Sequence, residues 1–452
     1  MIRRIVAACA AAFLLAAQPA AAQSILRDAE TEAMFKQMAD PLIVAAGLSP
    51  RNAKVVLLND PAINAFTAGG QTVYVNSGLL QAADNANQVQ GVIAHELGHV
   101  ADGHVILSDG GTRPALGIQI LSMVLGLAAM AAGSGDAGAG IMAAGQSAAL
   151  GKYLAFSRVQ ESTADATGAR FLRGANISGK GMLAFFKKLQ NEEYAYGLKN
   201  IDPYMQTHPL SGDRIQALSA DLQASPAWNN PPDRPLEERF KRVKAKLEGY
   251  VLSPERTLRD YPLTDTTIYA HYARAYAYHK AGYPDKAAAE ADALVRADPA
   301  DPYFLEIQGQ ILLEAGQPQE SLAPLRAAVA GSHDNPLIAT TLGHALIATE
   351  KRANYPEAIR VLRTAVGRDD DNPFAWYQLG TAYEASGDSA RAALATAEQA
   401  SLTGDLRTAN RSAHDALANL PPNSTDWIRA QDIATAAQNE FDDNPKKYKK
   451  RR

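Results

Sequence analysis

The sequence predicts a mainly α-helical chain of the α+β class, in which a domain with a small β-sheet is followed by an α-solenoid. Three patterns lead to this prediction. Residues 85–103 have the apolar spacing of a buried helix, residues 72–76 alternate as a strand does, and similar units recur every 34 to 37 residues from Ile268 onward. A chain of 452 residues is long enough for two such domains.

Residues 1–22 have the layout of a cleavable secretory signal. Arg3 and Arg4 precede an apolar run over residues 5–17, and small residues follow up to Ala22, where we expect cleavage. Cys9, the only cysteine, lies within this segment, so the mature protein would contain no disulfide. Loss of the two arginines changes the formal charge from -4 to -6, which argues against nucleic-acid binding.

Residues 95–99, with the sequence HELGH, are the most informative stretch of the chain. Residues four apart lie on one face of a helix, so His95 and His99 can bind one cation while Glu96 projects beside it. Catalytic zinc takes three protein ligands and leaves a position for water, from which a neighbouring carboxylate can remove a proton. Glu96 is the candidate for that general base.

The residues around this motif favour a helix over a chance match, although such a pattern can arise by chance on any polar helix. Asn85 and Gln88 resemble a capping pair, and Gly103 is a suitable stop. His104 lies five residues beyond His99 and off the ligand face, so we interpret it as a structural or surface histidine.

A third ligand is expected from a second helical stretch, residues 157–165. Its acids Glu161 and Asp165 are four apart and share a face. One could bind the metal while the other orients a ligand histidine through its second ring nitrogen. The alternative is an ordinary exposed acidic pair near Arg158, and the first motif is what favours the metal-binding interpretation.

Residues 30–220 resemble the HtpX-like zinc metallopeptidases. The resemblance rests on Asn-Ala-Phe at 64–66 with the following strand and Gly-Leu-Leu at 78–80, on the zinc motif at 95–99, on Glu161 with Asp165, and on His208 with Arg214. These motifs occur in the order of the family, and together they are more specific than any one of them.

This resemblance implies a gluzincin-type fold with one zinc ion per chain. It assigns His95, His99 and Glu161 as zinc ligands, Glu96 as the general base and Asp165 as the residue that orients a ligand. His208 and Arg214 are the remaining catalytic candidates, as donors to the oxyanion that develops on the attacked carbonyl. In periplasmic members of the family, the equivalent of His208 can occupy the open zinc position and hold the enzyme latent. The alternative for His208 is an ordinary loop histidine before a proline.

The strand over residues 72–76 is predicted to be an edge strand that binds substrate. A protease needs its substrate extended, and pairing with a free edge provides this through main-chain hydrogen bonds that ignore sequence. The alternative is an ordinary structural strand with both neighbours inside the domain. The predicted substrate-binding residues are Thr72, Val73, Tyr74, Val75 and Asn76.

The apolar stretch 116–132 is close to the length that crosses a membrane. Alanine and glycine dilute it, so we expect a buried or membrane-touching hairpin with residues 139–150 as its return arm. A true membrane span is the alternative.

The second half of the chain contains an internal repeat. Units begin at Ile268, Pro302, Pro336 and Pro373, with a short insertion near residues 351–355, and each has a small residue seven positions after its first. This looks like a tetratricopeptide array of four helix pairs, whose usual use is to hold a peptide or a partner protein in a groove. A purely architectural role is the alternative.

The predicted domains are a signal peptide (1–22), a metallopeptidase domain (23–222), a linker with a charged surface helix (223–265), a repeat array (266–405), capping helices (406–440) and a basic disordered tail (441–452). Attraction of the tail to anionic lipid headgroups is the alternative for that segment, and would give peripheral membrane contact.

The combined expectation is a periplasmic zinc endopeptidase that degrades unfolded or misassembled proteins. The resemblance further implies help in assembling outer-membrane β-barrel proteins, with the repeats bound to substrates or to the assembly machinery. A different class of function stays open: a chaperone or scaffold that acts through its repeats and keeps a latent or structural zinc site.

Overall fold

The computed structural model describes residues 25–104, 122, 135–196, 208 and 212–443. They divide into two compact units, one made of the residues up to Arg27 with Glu32–Lys241, the other of Asp28–Thr31 with the residues from Arg242 onward. The predicted signal peptide, the apolar stretch 116–132 and the basic residues of the tail lie outside the described residues.

The first unit contains a four-stranded sheet. Its strands are β1 (Ile25–Leu26), β2 (Lys54–Leu58), β3 (Ala65–Thr67) and β4 (Thr72–Asn76), in the spatial order β1-β2-β4-β3. β4 runs parallel to β2 and antiparallel to β3. Val73 and Val75 are fully buried, as the alternation of apolar residues in β4 predicted.

The prediction that residues 72–76 form an edge strand is wrong. Their main chain is paired with β2 on one side and β3 on the other, so it has no free side for a substrate. Alternation reports which faces of a strand are buried, and it contains no information about the number of its neighbours. Gly69 and Gly70, with φ of 104° and 63°, form the turn that folds β4 back onto β3. Among the described strands, the edge on this side of the sheet is therefore β3.

Helices make up the other described secondary structure that lies wholly or partly in the first unit. In chain order they are α1 (Ala29–Ala45), α2 (Ser77–Ala82), α3 (Ala86–Ala101), α4 (Gly135–Gly174), α5 (Lys180–Tyr196) and α6 (Gly212–Gln223), followed by the 3-10 turn Pro226–Asn229 and by α7 (Arg234–Val251). The division between the units passes through α1 and α7. The core of the first unit is formed by apolar side chains that include Phe35, Met38, Val89, Val92, Ile93, Phe185 and Phe186. None of the helices in the described ranges is long and apolar enough to cross a membrane.

The prediction of a charged surface helix over residues 236–250 is confirmed as a helix but wrong as to the surface. Leu236, Phe240 and Val243 of α7 are buried, and Lys246 is only 6% exposed. Those apolar residues recur with the period of a helix, so one face is apolar although the composition is charged. The prediction used the charged composition of the segment and not the spacing of its apolar residues, so it did not identify the buried face.

The second unit consists of helix pairs, as the repeat predicted. A short α8 (Pro254–Asp260) precedes four pairs, which are α9 and α10 (Ile268–Lys280, Pro284–Ala297), α11 and α12 (Pro302–Glu314, Pro318–Gly331), α13 and α14 (Pro336–Ala348, Tyr355–Arg368), and α15 and α16 (Pro373–Ala385, Ser389–Leu402). The insertion forms the 3-10 turn Arg352–Asn354, and the array ends with α17 (Leu406–Asn419) and α18 (Thr425–Asp443). All four predicted starts coincide with the first residue of a helix.

Local chemistry explains why the pairs begin and pack where they do. Asp301, Asn335 and Asn372 each cap the helix that follows, by accepting hydrogen bonds from two of its main-chain N–H groups. Within the pairs, a Cβ atom on Gly309 or Gly343 would lie 2.4 Å from the Cγ atom of a leucine on the second helix. The small residues predicted at these positions therefore let the two helices of a pair approach closely.

Candidate metal centre

Helix α3 carries the HELGH motif into the interior of the first unit. Its start is fixed by Asn85, whose side chain accepts a hydrogen bond from the main-chain N–H of Gln88 at 3.0 Å. The helix ends at Ala101, and Gly103 follows with φ of 69°. Both predicted ends are thus confirmed. His95 and Glu96 are completely buried.

Close contact between two backbones brings the second motif to the first. A Cβ atom on Gly98 of α3 would lie 2.7 Å from the carbonyl oxygen of Ala164 in α4, and one on Gly168 would lie 2.9 Å from that of Ala94. Because neither glycine has a side chain, α3 and α4 approach until Glu161 and the two histidines are neighbours. The predicted third-ligand helix is therefore confirmed as a partner of the zinc helix.

Four side chains converge on one point: His95, His99, Glu161 and His208, whose ligand atoms all lie within 4.8 Å of one another. Nε2 of His95 lies 3.2 Å from Nε2 of His99 and 3.4 Å from Oε2 of Glu161, while Oε1 of Glu161 lies 3.4 Å from Nε2 of His99. Nδ1 of His208 lies 3.1 Å from both carboxylate oxygens of Glu161 and 3.4 Å from Nε2 of His95.

The distances of 3.1–3.4 Å between these ligand atoms are close to those around a small tetrahedral cation. The edge of a tetrahedron is about 1.6 times the distance from centre to corner, so ligands at about 2.0–2.1 Å from zinc lie roughly 3.3–3.4 Å apart. The four side chains supply three nitrogens and one carboxylate, which is a set of donors that zinc accepts. Burial lowers the pKa of His99 to about 4, which favours the neutral form that a metal ligand needs. For His95, burial is outweighed by hydrogen bonds with Asp165 and Glu161, which raise its pKa to about 10, so His95 must release a proton when it binds a metal.

Glu96 lies beside this cluster with a carboxylate that has no hydrogen-bond partner among the described residues. Both of its oxygens are buried, and Oε1 lies 3.6 Å from Nε2 of His208. Burial raises the pKa of Glu96, although the nearby His208 and His95 act against that increase. A buried carboxylate without a hydrogen bond is costly, so a protein that keeps one has a use for it.

Asp165 and Arg214 support the cluster from behind. Oδ1 of Asp165 lies 3.0 Å from Nδ1 of His95, and the carboxylate also accepts hydrogen bonds from Nε and Nη2 of Arg214 at 2.8 and 2.9 Å. Nη1 of Arg214 lies 3.2 Å from Oε2 of Glu161. Burial would raise the pKa of Asp165, but His95 and Arg214 more than offset that effect and lower it. The structure thus brings Arg214 to the site, with its guanidinium directed at two carboxylates.

His104 is a neighbour of the site that the sequence interpretation missed. Nδ1 of His104 lies 2.8 Å from Nδ1 of His99, on the side of the ring away from the cluster. An uninterrupted helix would have directed His104 away from His99. The sequence feature that could have predicted the contact is Gly103, which ends the helix before His104.

Comparison of the sequence with known families finds a match over the part of the chain that contains this cluster. The sequence profile of peptidase family M48 matches residues 26–222, a range that includes every residue of the cluster. Residues 26–222 are a peptidase family M48 domain. The tetratricopeptide repeat profile matches residues 272–336 and 347–405, which lie within the helix pairs. The M48 domain is a metalloprotease domain, and the helix pairs are tetratricopeptide repeats, as the motifs and the repeat spacing predicted.

Several bacterial proteins are similar to this chain, two of them over more than three quarters of its length. The beta-barrel assembly-enhancing protease of Yersinia pestis is 24% identical over 384 residues, which cover 82% of this chain and 76% of that protein. Its namesake in Escherichia coli K12 is 25% identical over 361 residues, covering 77% of this chain and 71% of that protein. The metalloprotease LoiP of the same strain is 33% identical over 178 residues, which cover 39% of this chain and 64% of LoiP.

Proposed function

We propose that the chain is a zinc endopeptidase of the periplasm that degrades unfolded or misassembled proteins and assists the assembly of outer-membrane β-barrel proteins. One observation carries the catalytic part of this proposal. The buried carboxylate of Glu96, without a described hydrogen-bond partner, lies beside a cluster with the ligand spacing of zinc. A structural zinc site has no use for such a carboxylate, whereas hydrolysis needs a base at that place.

His95, His99 and Glu161 are the residues that would hold one zinc ion. Bound there, zinc supplies a Lewis acid that lowers the pKa of water to about 7 and polarises a peptide carbonyl. Asp165 fixes the ring of His95 through its Nδ1, so that Nε2 faces the cluster. Arg214 holds both Asp165 and Glu161 in place and balances part of their negative charge.

Glu96 acts as the general base and then as the general acid. Its carboxylate accepts a proton from water as the peptide carbonyl is attacked, and it returns that proton to the nitrogen of the leaving amine.

His208 occupies the fourth corner of the cluster, and this position supports the latent state predicted for it. With its Nδ1 within 3.4 Å of both Glu161 and His95, its ring takes the place that water and substrate need. Withdrawal of His208 would then open the site. Once withdrawn, the same imidazole could donate to the developing oxyanion.

The free edge of β3 is the place where an extended substrate could pair. β3 contacts α3, the helix that carries His95 and Glu96, and its outer side is unpaired within the described sheet. Pairing there would use the main chain of Ala65–Thr67 and would depend little on the sequence of the substrate. Broad cleavage of unfolded chains follows from this arrangement.

The repeats offer a second, separate surface for proteins. First helices of successive pairs contact one another at two places, α11 with α13 and α13 with α15, as they do where the first helices of such an array line its inner side. On α15, Phe374 and Tyr377 are 47% and 57% exposed, and the imidazole of His344 on α13 lies edge-on to Phe374 with ring centroids 5.6 Å apart. Exposed aromatic residues on a concave helical face are typical of peptide-binding surfaces.

The β-barrel client class is supported by the names of the two long relatives, which join a protease to β-barrel assembly. The test compares two unfolded substrates of similar length, an outer-membrane β-barrel protein and a soluble helical protein. The purified mature chain is expected to cut the barrel protein faster. A chain with Phe374→Ser and Tyr377→Ser should lose that preference, while the control Leu263→Ser, at another exposed apolar residue (71%), should keep it.

Equal rates for the two substrates in every variant would refute the client class. If both the wild type and His208→Ala fail to hydrolyse either substrate, the proposed peptidase activity is refuted. The two parts of the proposal can therefore fail separately.

A further inference from the structure

The two histidines of the motif have different partners on their second ring nitrogens. Both rings direct Nε2 toward the cluster, where these two atoms lie 3.2 Å apart. Nδ1 of His95 lies 3.0 Å from the carboxylate of Asp165, whereas Nδ1 of His99 lies 2.8 Å from Nδ1 of His104. The first partner is a buried charged group, and the second is a half-buried imidazole.

We propose that His104 is a positioning residue of the metal centre, which holds His99 in the tautomer and orientation that bind the metal. This proposal rests on the metal centre of the proposed function. Binding through Nε2 requires a lone pair there, so the proton of His99 must be on Nδ1. That N–H donates to Nδ1 of His104, which accepts it and carries its own proton on Nε2.

The end of α3 explains how a residue five positions beyond His99 reaches it. Five residues of helix correspond to a rotation of about 140° from the same face, which would direct His104 away from His99. The helix instead stops at Ala101, and Gly103 takes a left-handed conformation with φ of 69°. The chain reverses there, and the two rings come to 5.0 Å between centroids. Among the described residues, a Cβ atom on Gly103 would meet no other atom within 4 Å, so the need for glycine is conformational.

A neutral partner suits this side of the site. Glu96, Glu161 and Asp165 already place three carboxylates around the two motif histidines, and Arg214 pairs with the last two. An imidazole acceptor fixes His99 without adding a fourth negative charge. It therefore orients the ligand while leaving the charge of the centre unchanged.

The test measures zinc affinity by competition with a chelator, on the full mature chain with Glu96→Gln so that the sample cannot digest itself. His104→Asn and His104→Leu form a matched pair, because the side-chain oxygen of asparagine stands where Nδ1 of histidine does, and leucine has the same shape without an acceptor. His104→Leu is expected to weaken zinc binding by roughly 10- to 100-fold, and His104→Asn to restore most of it. His414→Ala, which removes an exposed histidine from α17, should have no effect.

Equal zinc affinity of His104→Leu and the parent chain would overturn the proposal. Equal losses in the asparagine and leucine variants would also overturn it, because the acceptor would then be irrelevant. The visible spectrum of the cobalt-substituted chain adds a second criterion. It should keep its tetrahedral bands in all variants, and a change of coordination number in His104→Leu would mean that His104 is itself a ligand. None of these measurements depends on peptide hydrolysis.

Discussion

Individual charged side chains determine whether the metal centre can exist in a buried place. Glu161 and Asp165 are nearly inaccessible to solvent, and the guanidinium of Arg214 is the cation that pairs with both. A buried ion pair contributes little net stability by itself, but removal of one partner leaves an uncompensated charge. Loss of Arg214 should therefore be costly because it leaves buried carboxylates without their cation.

Replacement of this arginine gives a first prediction. Arg214→Met should destabilise the first unit by about 3–5 kcal/mol, because Asp165 would stay buried without its partner. The control is Arg173→Met, which breaks an exposed pair with Asp221 at 2.6 Å and should cost at most about 1 kcal/mol. Thermal unfolding of the metal-loaded chains measures both, and equal shifts would contradict the prediction.

His208 gives a second prediction about a single side chain. If its ring holds the enzyme latent, His208→Ala should cleave an unfolded protein several times faster than the wild type. A lower rate would mean that its contribution to the oxyanion outweighs its blocking effect. An unchanged rate, with the zinc content also unchanged, would exclude both roles.

Glu306 gives a third prediction, in the second unit. Its Oε2 is buried without a hydrogen-bond partner among the described residues. Burial raises the pKa of Glu306 to about 8; Lys246 acts to lower this pKa, and Asp28 and Glu30 act to raise it. A carboxyl group whose pKa is higher in the folded state than in the unfolded state stabilises the folded state. This stabilisation is complete below the unfolded pKa of 4.5 and is lost as the pH rises through 8. The test compares the melting temperature of the wild type with that of Glu306→Gln at two pH values. The wild type should lose melting temperature relative to the variant when the pH rises from 5 to 8. A difference that does not depend on pH would contradict this account.

Pairs of secondary-structure elements determine where these side chains meet. Helices α3 and α4 are in backbone contact because Gly98 and Gly168 have no side chains. This contact, more than any hydrogen bond, places Glu161 beside His95 and His99. A motif glycine that looks like an unspecified position between two ligands is thus part of the site.

Enlargement of that glycine gives a fourth prediction. Gly98→Ala should weaken zinc binding and destabilise the first unit by about 1–3 kcal/mol, since its Cβ atom would lie 2.7 Å from the carbonyl oxygen of Ala164. The higher helix propensity of alanine offsets at most about 1 kcal/mol of that cost. Gly212→Ala, at a helical glycine where an added Cβ atom would meet no atom of the described residues within 4 Å, is the control and should be neutral. Normal zinc affinity in Gly98→Ala would contradict the backbone-contact explanation.

Sequence reasoning succeeded where a pattern has one structural meaning and failed where it has two. The ends of α3 and the starts of the four helix pairs follow from capping residues and repeat length, and they are confirmed. The edge position predicted for residues 72–76 is wrong, because alternation describes the faces of a strand and not its neighbours. His104 was missed because helical spacing was extended past the residue that ends the helix.

The whole molecule joins a metalloprotease domain to tetratricopeptide repeats. The motifs and the repeat period identified both parts from the sequence, since each part repeats a known arrangement of residue types. The roles of individual residues depend on distances of about 3 Å between residues that are far apart in the chain, such as Glu161 and His208. Spacing along a sequence cannot supply such distances, and the roles remain predictions that experiments must test.

The most direct test of the account is the rate at which the mature chain cleaves an unfolded protein, measured for the wild type and Glu96→Gln at equal zinc content. The account predicts one zinc ion per chain in both proteins, and a loss of at least 100-fold in the variant, because general-base catalysis typically contributes about 10²- to 10⁴-fold. Equal cleavage rates at equal zinc content would contradict the assignment of Glu96 as the base, and with it the central claim about this site.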